Sequence, residues 1–371
     1  MADITLLSAL QWGEEDAVLL SDYLSEDADI IITALKGMKK ENEEGAISLH
    51  LLTPAVFRKE AMTIIPGGMC IDLDVLKKDY EALSEKGFDV DSLFIDERTN
   101  LVLPFHNGSG VSAEFSKMRR SGLRAGDLLD DERLPGRLSR VLMTENRMDL
   151  YDEVMKKCKE WKLFFADYII DTVPIIRYAA EADQKVIIEA DGGLMKDVSW
   201  GTYPMTASFR NSAASMLEKA GLPPKAVTRT IGVAKAISER ADDGPIISAF
   251  TKEAKKGWID CVALDYACFI NGVDTLCITD LDALDQEPQI KVCTGYMIEG
   301  EYYSNLPESR KQDNARAIYA EFEGWMTDTR AISKWSELPE KCIELINQIG
   351  TYVNAEVGYI STGGRIIAKE D

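Results

Sequence analysis

Apolar residues occur along this chain in short runs, which alternate with longer segments that mix apolar and charged residues. Short apolar runs predict strands buried on both faces, as in a parallel sheet, whereas mixed segments predict amphipathic helices. The predicted strands include Thr5–Leu10, Asp29–Thr33, Ser48–Leu52, Gly67–Leu73, Lys185–Glu189, Thr230–Ile237, Asp274–Thr279 and Val357–Ser361. The alternation predicts an α/β fold with a largely parallel central sheet flanked by helices, built as one domain over residues 1–371.

The segments between these strands predict the helices. They are Ala17–Leu24, Asp74–Leu83, Leu138–Phe165, Asp260–Asn271 and Pro339–Ile349. Asp74 is the predicted cap of its helix, because a carboxylate accepts the free N–H groups of a first turn. The polar segment Lys36–Gly45 predicts a loop.

The N-terminal stretch combines a predicted strand, the polar loop Gln11–Asp16 and a predicted helix. In α/β proteins this arrangement often holds a nucleotide phosphate, because the helix N-terminus offers free N–H groups and partial positive charge. Such loops normally contain several glycines and a lysine. Here Gly13 is followed by Glu14, Glu15 and Asp16. The position therefore suits a nucleotide, but the charges oppose its phosphates.

The amino-acid composition limits the classes of molecule that this chain is expected to bind. Lys+Arg number 42 against 63 Asp+Glu, a net charge of −21, and no basic stripe interrupts the excess of acid. Nucleic acids and anionic membranes bind clustered Lys and Arg, so neither is an expected partner. The seven cysteines form no CxxC pair and lie in apolar segments, which predicts buried, reduced thiols. We expect a cytoplasmic protein without a membrane span.

Several short motifs resemble adenylosuccinate synthetase, the family that joins IMP to aspartate with GTP and Mg²⁺. The loop sequence QWGEE, beginning at Gln11, resembles the family's QWGDEGKGK. Further matching segments follow in the family's order: Leu49–Pro54, Leu101–His106, Arg120–Leu129, Gly201–Pro204, Gly257–Asp260, Ile278–Asp285 and Ile360–Gly363. The resemblance implies a fold related to P-loop NTPases, Mg²⁺ and GTP as cofactors, a purine nucleotide as ligand, and a homodimer.

At the phosphate loop, the resemblance implies roles for the acidic residues. The family's catalytic aspartate falls on Glu14, which could act as the base, and Glu14, Glu15 and Asp16 are candidate Mg²⁺ ligands. The alternative is that these acids only favour a helix start, at about 0.3–1 kcal/mol each. The family's phosphate-loop glycines and lysines fall on the segment 16–19, which is Asp-Ala-Val-Leu.

The resemblance also implies a set of nucleotide-binding residues: Gly13, Asn107, Gly108, Ser109, Gly110, Arg120, Asp282, Ser361, Thr362 and Gly363. The small residues at 107–110 could hold a phosphate through backbone N–H groups. Arg120 matches a family arginine that reaches across the dimer to the IMP phosphate in the partner subunit. The alternative is that Arg120 is a charged side chain in solvent. Asp282 matches the family's aspartate that accepts hydrogen bonds from guanine N1 and N2. The alternative is that Asp282 only caps a turn.

Other positions depart from the family pattern. The segment 35–44, where the family has its catalytic histidine, contains none, and the chain has only His50 and His106. We expect His50 to be a hydrogen-bonded core residue. Lys252 replaces an arginine of the aspartate-binding loop and is a candidate carboxylate ligand, although lysine lacks the bidentate fork. Asp280 stands where the family has a lysine that stacks on the base.

These substitutions predict a divergent family member. We expect a protein deficient in the GTP-dependent ligation of IMP and aspartate, which acts by binding a nucleotide or a partner protein. The alternative is an active C–N ligase with altered substrates and Glu14 as its base.

Overall fold

The computed structural model describes residues 2–13, 16–34, 37–42, 45–58, 60–88, 90–108, 122–189, 192–207, 209–239 and 256–369. These residues form strands and helices in the alternation that the apolar pattern predicts. No helix among them is both long enough and apolar enough to cross a membrane.

The strands are β1 Asp3–Ala9, β2 Ile30–Ile32, β3 Met38–Asn42, β4 Gly45–Leu49, β5 Met62–Ile65, β6 Cys70–Ile71, β7 Leu93–Asp96, β8 Asn100–Leu101, β9 Ile169–Ile170, β10 Lys185–Ile188, β11 Arg229–Lys235, β12 Ile237–Glu239, β13 Lys256–Trp258, β14 Thr275–Thr279, β15 Gln289–Ile298, β16 Glu301–Tyr303, β17 Arg316–Glu323, β18 Glu356–Thr362 and β19 Arg365–Ala368. The helices are α1 Ala17–Leu24, α2 Leu73–Glu85, α3 Leu134–Thr144, α4 Tyr151–Phe165, α5 Val173–Glu181, α6 Ala213–Ala220, α7 Cys261–Asn271, α8 Ser309–Gln312 and α9 Glu340–Tyr352.

The chain divides into two compact units. Unit one comprises Met1–Ile4, Leu24–Glu189 and Ser215–Thr228. Its sheet has the strand order β10-β2-β5-β7-β9, with every neighbouring pair parallel. Helices α2, α3 and α4 supply apolar side chains, including Leu76, Leu138 and Phe165, to a core shared with β5 and β7. Unit one is therefore a parallel sheet covered by helices.

Unit two comprises Thr5–Tyr23, Ala190–Ala214 and Arg229–Asp371. Its sheet has the order β1-β11-β14-β18-β19, parallel except for the final antiparallel pair. Helices α7 and α9 pack into its core through residues such as Leu264 and Ile346. A separate antiparallel sheet pairs β15 with β16 and β17. The predicted largely parallel sheet thus occurs in this unit also.

Local sequence explains where the elements of unit two begin and end. Strand β1 is buried at every position after Asp3, as expected for a strand covered on both faces. Asp260 caps α7 by accepting the N–H groups of Val262 and Ala263. The helix ends at Gly272, whose φ of 62° is the left-handed conformation that glycine adopts readily. Capping at both ends thus fixes the position of α7.

Two helix predictions are wrong in detail. Asp72, rather than Asp74, caps α2, because Asp72 Oδ1 accepts the N–H groups of Asp74 and Val75. The single helix predicted over Leu138–Phe165 is two helices, α3 and α4. Asn146 lies between them with φ 54°, a left-handed conformation that interrupts a helix.

Three predictions near β3 and β6 are also wrong. The region predicted as a polar loop contains β3, which pairs antiparallel with β4. The strand predicted over Gly67–Leu73 is limited to β6. His50 follows β4 and has a side chain that is 61% exposed, so it is not a core residue. Its ring is nevertheless hydrogen-bonded, because Nδ1 lies 3.0 Å from Asp79 Oδ1.

Burial is confirmed for six of the seven cysteines. All seven are free thiols; six are buried and Cys70 is partly buried. The prediction of a single domain over residues 1–371 stays a prediction.

Candidate functional site

Four parallel strands of unit two end at one edge of their sheet. β1, β11, β14 and β18 run in the same direction, so the residues that follow their carboxyl ends lie together. In open α/β sheets, ligands bind at this edge. The residues concerned here are the loop after β1, Lys235 at the end of β11, the turn Asp280–Asp282, and the segment Ser361–Gly363.

Gln11 connects the loop after β1 to the end of β11. Its side-chain oxygen accepts the Lys235 N–H at 2.9 Å, and its Nε2 donates to the Lys235 carbonyl at 3.3 Å. The same Nε2 also donates to Ser238 Oγ at 3.1 Å. Because Gln11 is buried and bonded to both the N–H and the carbonyl of Lys235, it fixes the backbone that carries the Lys235 side chain.

The Lys235 ammonium group is surrounded by carboxylates. Nζ lies 3.2 Å from Asp16 Oδ2, 2.9 Å from Glu239 Oε2 and 3.0 Å from Asp280 Oδ2. The lysine side chain is only 13% exposed. Burial alone would lower the pKa of Lys235, but hydrogen bonds to Glu239 and Asp280 and the charge of Asp16 outweigh it and raise the pKa. Lys235 therefore stays protonated at physiological pH.

Glu239 belongs to a second ion pair at this edge. Its other carboxylate oxygen contacts the Lys256 ammonium on β13, which pairs antiparallel with β12. Burial would raise the pKa of Glu239, yet the hydrogen bonds from Lys256 and Lys235 outweigh it and lower the pKa. Both lysines thus share one carboxylate.

Asp16 and Asp280 both have left-handed backbone conformations. Their φ values are 52° and 53°, which few residues other than glycine adopt. Asp16 immediately precedes α1, and its carbonyl accepts the N–H of Leu19. The N–H of Asp280 donates to Ser361 Oγ at 2.8 Å. Local strain of this kind tends to occur at functional positions.

Asp282 contacts the segment that follows β18. Its Oδ1 accepts the Gly363 N–H at 3.0 Å, so one of its oxygens serves the turn-capping role. Behind this contact, Thr362 Oγ1 bonds Thr329 Oγ1 at 2.7 Å, and Thr329 bonds the Asp285 carboxylate. The Asp282 carboxylate is partly buried and retains capacity to accept further N–H groups.

A close approach of two backbone segments fixes the loop that contains Gly13. Gly13 has φ 95°, and a Cβ on Gly193 would lie 2.2 Å from the Gln11 carbonyl oxygen. Asn211 Nδ2 donates to the Gly193 carbonyl at 3.2 Å. Asp197, fully buried, accepts backbone N–H groups from residues 199, 200, 211 and 212. These bonds fold the segment 193–212 on itself, and the Met195 N–H donates to the Gln11 carbonyl at 2.9 Å, which attaches the segment to the loop.

The structure brings only part of the predicted set together. Gly13, Asp16, Asp282, Ser361, Thr362 and Gly363 lie in unit two, whereas Asn107 and Gly108 end the 3₁₀ helix Pro104–Gly108 of unit one. Six predicted site residues lie outside the described ranges: Glu14, Glu15, Ser109, Gly110, Arg120 and Lys252. Their predicted roles stay predictions. Within the described ranges, no group of three or more His, Cys, Asp or Glu is arranged to hold a metal.

Sequence reasoning missed Lys235 and Asp197. Lys235 ends a strand that the apolar pattern does predict, and a lysine at the carboxyl end of a buried parallel strand is the signal that could have identified it. His106 contributes to local structure: its Nδ1 accepts the N–H of Leu103 at 2.9 Å.

Fold and site define an α/β protein whose candidate ligand loops follow the carboxyl ends of parallel strands. A family model described as adenylosuccinate synthetase matches residues 6–114, 107–256 and 249–366, and the chain belongs to that family. Family membership is thereby confirmed as predicted.

An adenylosuccinate synthetase of Dehalococcoides mccartyi is 30% identical over 412 residues, covering 97% of both chains. Adenylosuccinate synthetase 1 of Methanosarcina acetivorans is 28% identical over 413 residues, again with 97% of each chain covered.

Solved structures confirm the fold. The fully ligated adenylosuccinate synthetase of Plasmodium falciparum superposes with a TM-score of 0.87 at 22% identity, covering 99% of this chain and all of that one. The succinoaminodeoxyadenylate synthetase of cyanophage S-2L, bound to dGMP and dATP, gives a TM-score of 0.60 at 15% identity, covering 100% and 96%. The predicted adenylosuccinate-synthetase-like α/β fold is correct.

Proposed function

We propose that this family member binds a purine-type ligand beside Asp282 and does not catalyse the GTP-dependent ligation of IMP and aspartate. One observation carries the proposal: the Lys235 ammonium at the candidate site is bonded to Asp16, Glu239 and Asp280. The Lys235 ammonium group at this edge of the sheet is thus already paired with carboxylates of the protein.

Electrostatic repulsion determines whether a phosphate group can bind near Asp16. Asp16, Glu239 and Asp280 face two ammonium groups, Lys235 and Lys256, so the cluster keeps a net negative charge. A phosphate about 4 Å from one such charge is repelled by up to ~4 kcal/mol at a surface-like dielectric. The attraction of the α1 N-terminus for an anion is smaller, about 0.3–1 kcal/mol. Repulsion of this size disfavours a triphosphate at the described residues, so we do not expect Mg²⁺-GTP as a resident cofactor. Phosphoryl transfer depends on positioning and charge stabilisation, and we expect Lys235, bonded to three carboxylates, to supply neither.

The residues expected to bind the purine base resemble the family pattern more closely than those expected to bind the phosphates. Asp282 is held by the Gly363 N–H, and its carboxylate can accept adjacent N–H donors of a purine base. A hydrogen bond to a charged acceptor contributes about 1.5–3 kcal/mol. The turn Asp280–Asp282 is stabilised by the segment Ser361–Gly363: Ser361 accepts the Asp280 N–H, and Thr362 bonds Thr329. A base with two neighbouring N–H groups, such as guanine, suits this acceptor.

Other parts of the proposal come from family resemblance. They are a homodimer, a cytoplasmic location, a single domain, and ligand contacts by Gly13, Asn107, Gly108, Ser109, Gly110 and Arg120, with Lys252 available to a carboxylate. Nucleic acids and membranes are not proposed partners.

A second candidate function is an active C–N ligase with altered substrates. The observation that favours it is that relatives named adenylosuccinate synthetase match 97% of this chain or more. In that case Glu14 would be the base, and Glu14, Glu15 and Asp16 would be the Mg²⁺ ligands.

Ligand-induced thermal stabilisation tests the proposal. The wild-type chain is melted with guanosine, GMP, IMP, GTP or ATP, each with Mg²⁺, in parallel with Asp282→Asn and the control Asp313→Asn, which alters an exposed residue. A ligand at about 100 times its Kd stabilises by ~2.7 kcal/mol. We expect a guanine ligand to raise the melting temperature of wild type and of the control but not of Asp282→Asn. An equal response of Asp282→Asn, or no response to any purine, contradicts the proposal.

A further inference from the structure

Lys235, Asp16, Glu239 and Asp280 form one cluster, here called the lysine cage. We propose that the lysine cage makes the site select a purine nucleoside or free base over a nucleotide, with Asp16 and Asp280 as its specificity-determining residues. This inference rests on the proposed function and names the class of ligand.

The N–H donors of Lys235 are all occupied within the cage. An ammonium group has three N–H donors and no acceptor. Three carboxylate oxygens lie within 2.9–3.2 Å of Lys235 Nζ, one from each of the other cage residues. The donors and acceptors match in number, so a phosphate oxygen could bind Lys235 only by displacing a carboxylate. The cage thereby removes the attraction that would favour a nucleotide.

Hydrogen bonds and ion pairs from neighbouring residues hold the cage in place. Gln11 bonds both the N–H and the carbonyl of Lys235, which prevents its backbone from turning. Asp280 is fixed through its N–H to Ser361, and Glu239 is fixed by Lys256. An ammonium that is only 13% exposed and anchored in this way cannot reach out to a ligand without breaking the cluster.

A ligand at this edge of the sheet would meet carboxylate oxygens. Asp280 and Asp282 lie two residues apart on one turn, and Asp16 faces Asp280 across the ammonium. Carboxylates accept hydrogen bonds from N–H and O–H groups, and at neutral pH a triphosphate carries negative oxygens that cannot donate them. Base N–H and ribose hydroxyl groups are donors. A nucleoside therefore fits chemically where a triphosphate is repelled.

Backbone conformation guides the choice of variant. Asp16 and Asp280 have φ values of 52° and 53°, and asparagine is among the few residues that tolerate this region. The double variant Asp16→Asn/Asp280→Asn thus removes two charges from the cage with little change in shape. The control Asp313→Asn/Glu344→Gln removes two charges from exposed positions in the same unit.

Titration calorimetry with guanosine and with Mg²⁺-GTP provides the test. We expect wild type to bind guanosine at least ~10-fold more tightly than GTP, a difference of about 1.4 kcal/mol. In the double variant the ratio of the two Kd values falls at least ~10-fold, because two negative charges are gone and Glu239 is then the one cage carboxylate still paired with Lys235. The control variant keeps the wild-type ratio. If the double variant does not fold, Asp280→Asn alone is expected to lower the ratio in the same direction.

The outcomes separate this inference from the proposed function. If wild type binds GTP as tightly as guanosine, or if the Kd ratio of the cage variant equals that of the control, selection by the cage is wrong while purine binding stands. If wild type binds no purine at all, the proposed function fails and the inference fails with it.

Discussion

Replacing Lys235 with methionine is expected to lower the free energy of unfolding by about 2–3 kcal/mol, below the ~3–5 kcal/mol typical when a fully buried ion pair loses one partner. The reduction follows from the partial exposure of the carboxylates, because water screens their mutual repulsion. Methionine keeps the length and apolar part of the side chain, so the loss reports mainly on the missing charge. Urea denaturation at pH 7 measures the effect.

Two further measurements identify repulsion as the cause. The double variant Lys235→Met/Asp280→Asn should recover part of the lost stability, because one uncompensated charge is gone. The deficit of Lys235→Met should also shrink as the pH falls toward 4, where carboxylates without a cation become protonated. A deficit that is independent of pH, with no recovery in the double variant, contradicts the assignment of the cage.

Replacing Asp197 with alanine is expected to cost about 3–4 kcal/mol of unfolding free energy. Asp197 Oδ1 accepts the N–H groups of Ser199 and Trp200, and Oδ2 accepts those of Asn211 and Ser212, at 2.6–3.2 Å. Each buried donor left unsatisfied costs about 1–3 kcal/mol, and local rearrangement recovers some of it. Urea denaturation of the variant gives the change.

Asp197→Asn is the matched variant for this experiment. Its amide has the same shape but can accept hydrogen bonds at only one of the two positions, so we expect an intermediate loss. Asp313→Ala, at an exposed position, should change stability by less than about 0.5 kcal/mol. Equal effects of Asp197→Ala and Asp313→Ala are incompatible with the role assigned to Asp197.

Much of the fold could be predicted from the sequence because parallel strands buried on both faces form continuous apolar runs. β1, β2, β10, β11 and β14 all coincide with such runs. Prediction failed where two neighbouring residues could perform the same role. Both Asp72 and Asp74 are suitable caps by residue type, and only the structure shows Asp72 bonding the first turn while Asp74 bonds Lys157 and Trp161.

The candidate site was harder to predict because its contacts join distant parts of the chain. Family motifs indicated Gly13, Asp16 and Asp282 one by one. The bonds of Gln11 to Lys235, however, connect residues 224 positions apart. No periodicity or local spacing shows which strand end lies beside which loop. The neutralisation of Lys235 by three carboxylates therefore became visible only in the folded chain.

A turnover assay distinguishes a purine-binding protein from an active ligase. The protein is incubated with IMP, aspartate and Mg²⁺-GTP, and formation of adenylosuccinate and release of phosphate are followed beside the Methanosarcina acetivorans relative. We predict a rate at least ~1,000-fold below that of the relative, in keeping with the 10³–10⁵-fold effect of a single charge-stabilising arginine in phosphoryl transfer. Adenylosuccinate formation at a rate comparable to the relative's would contradict the account and establish the ligase.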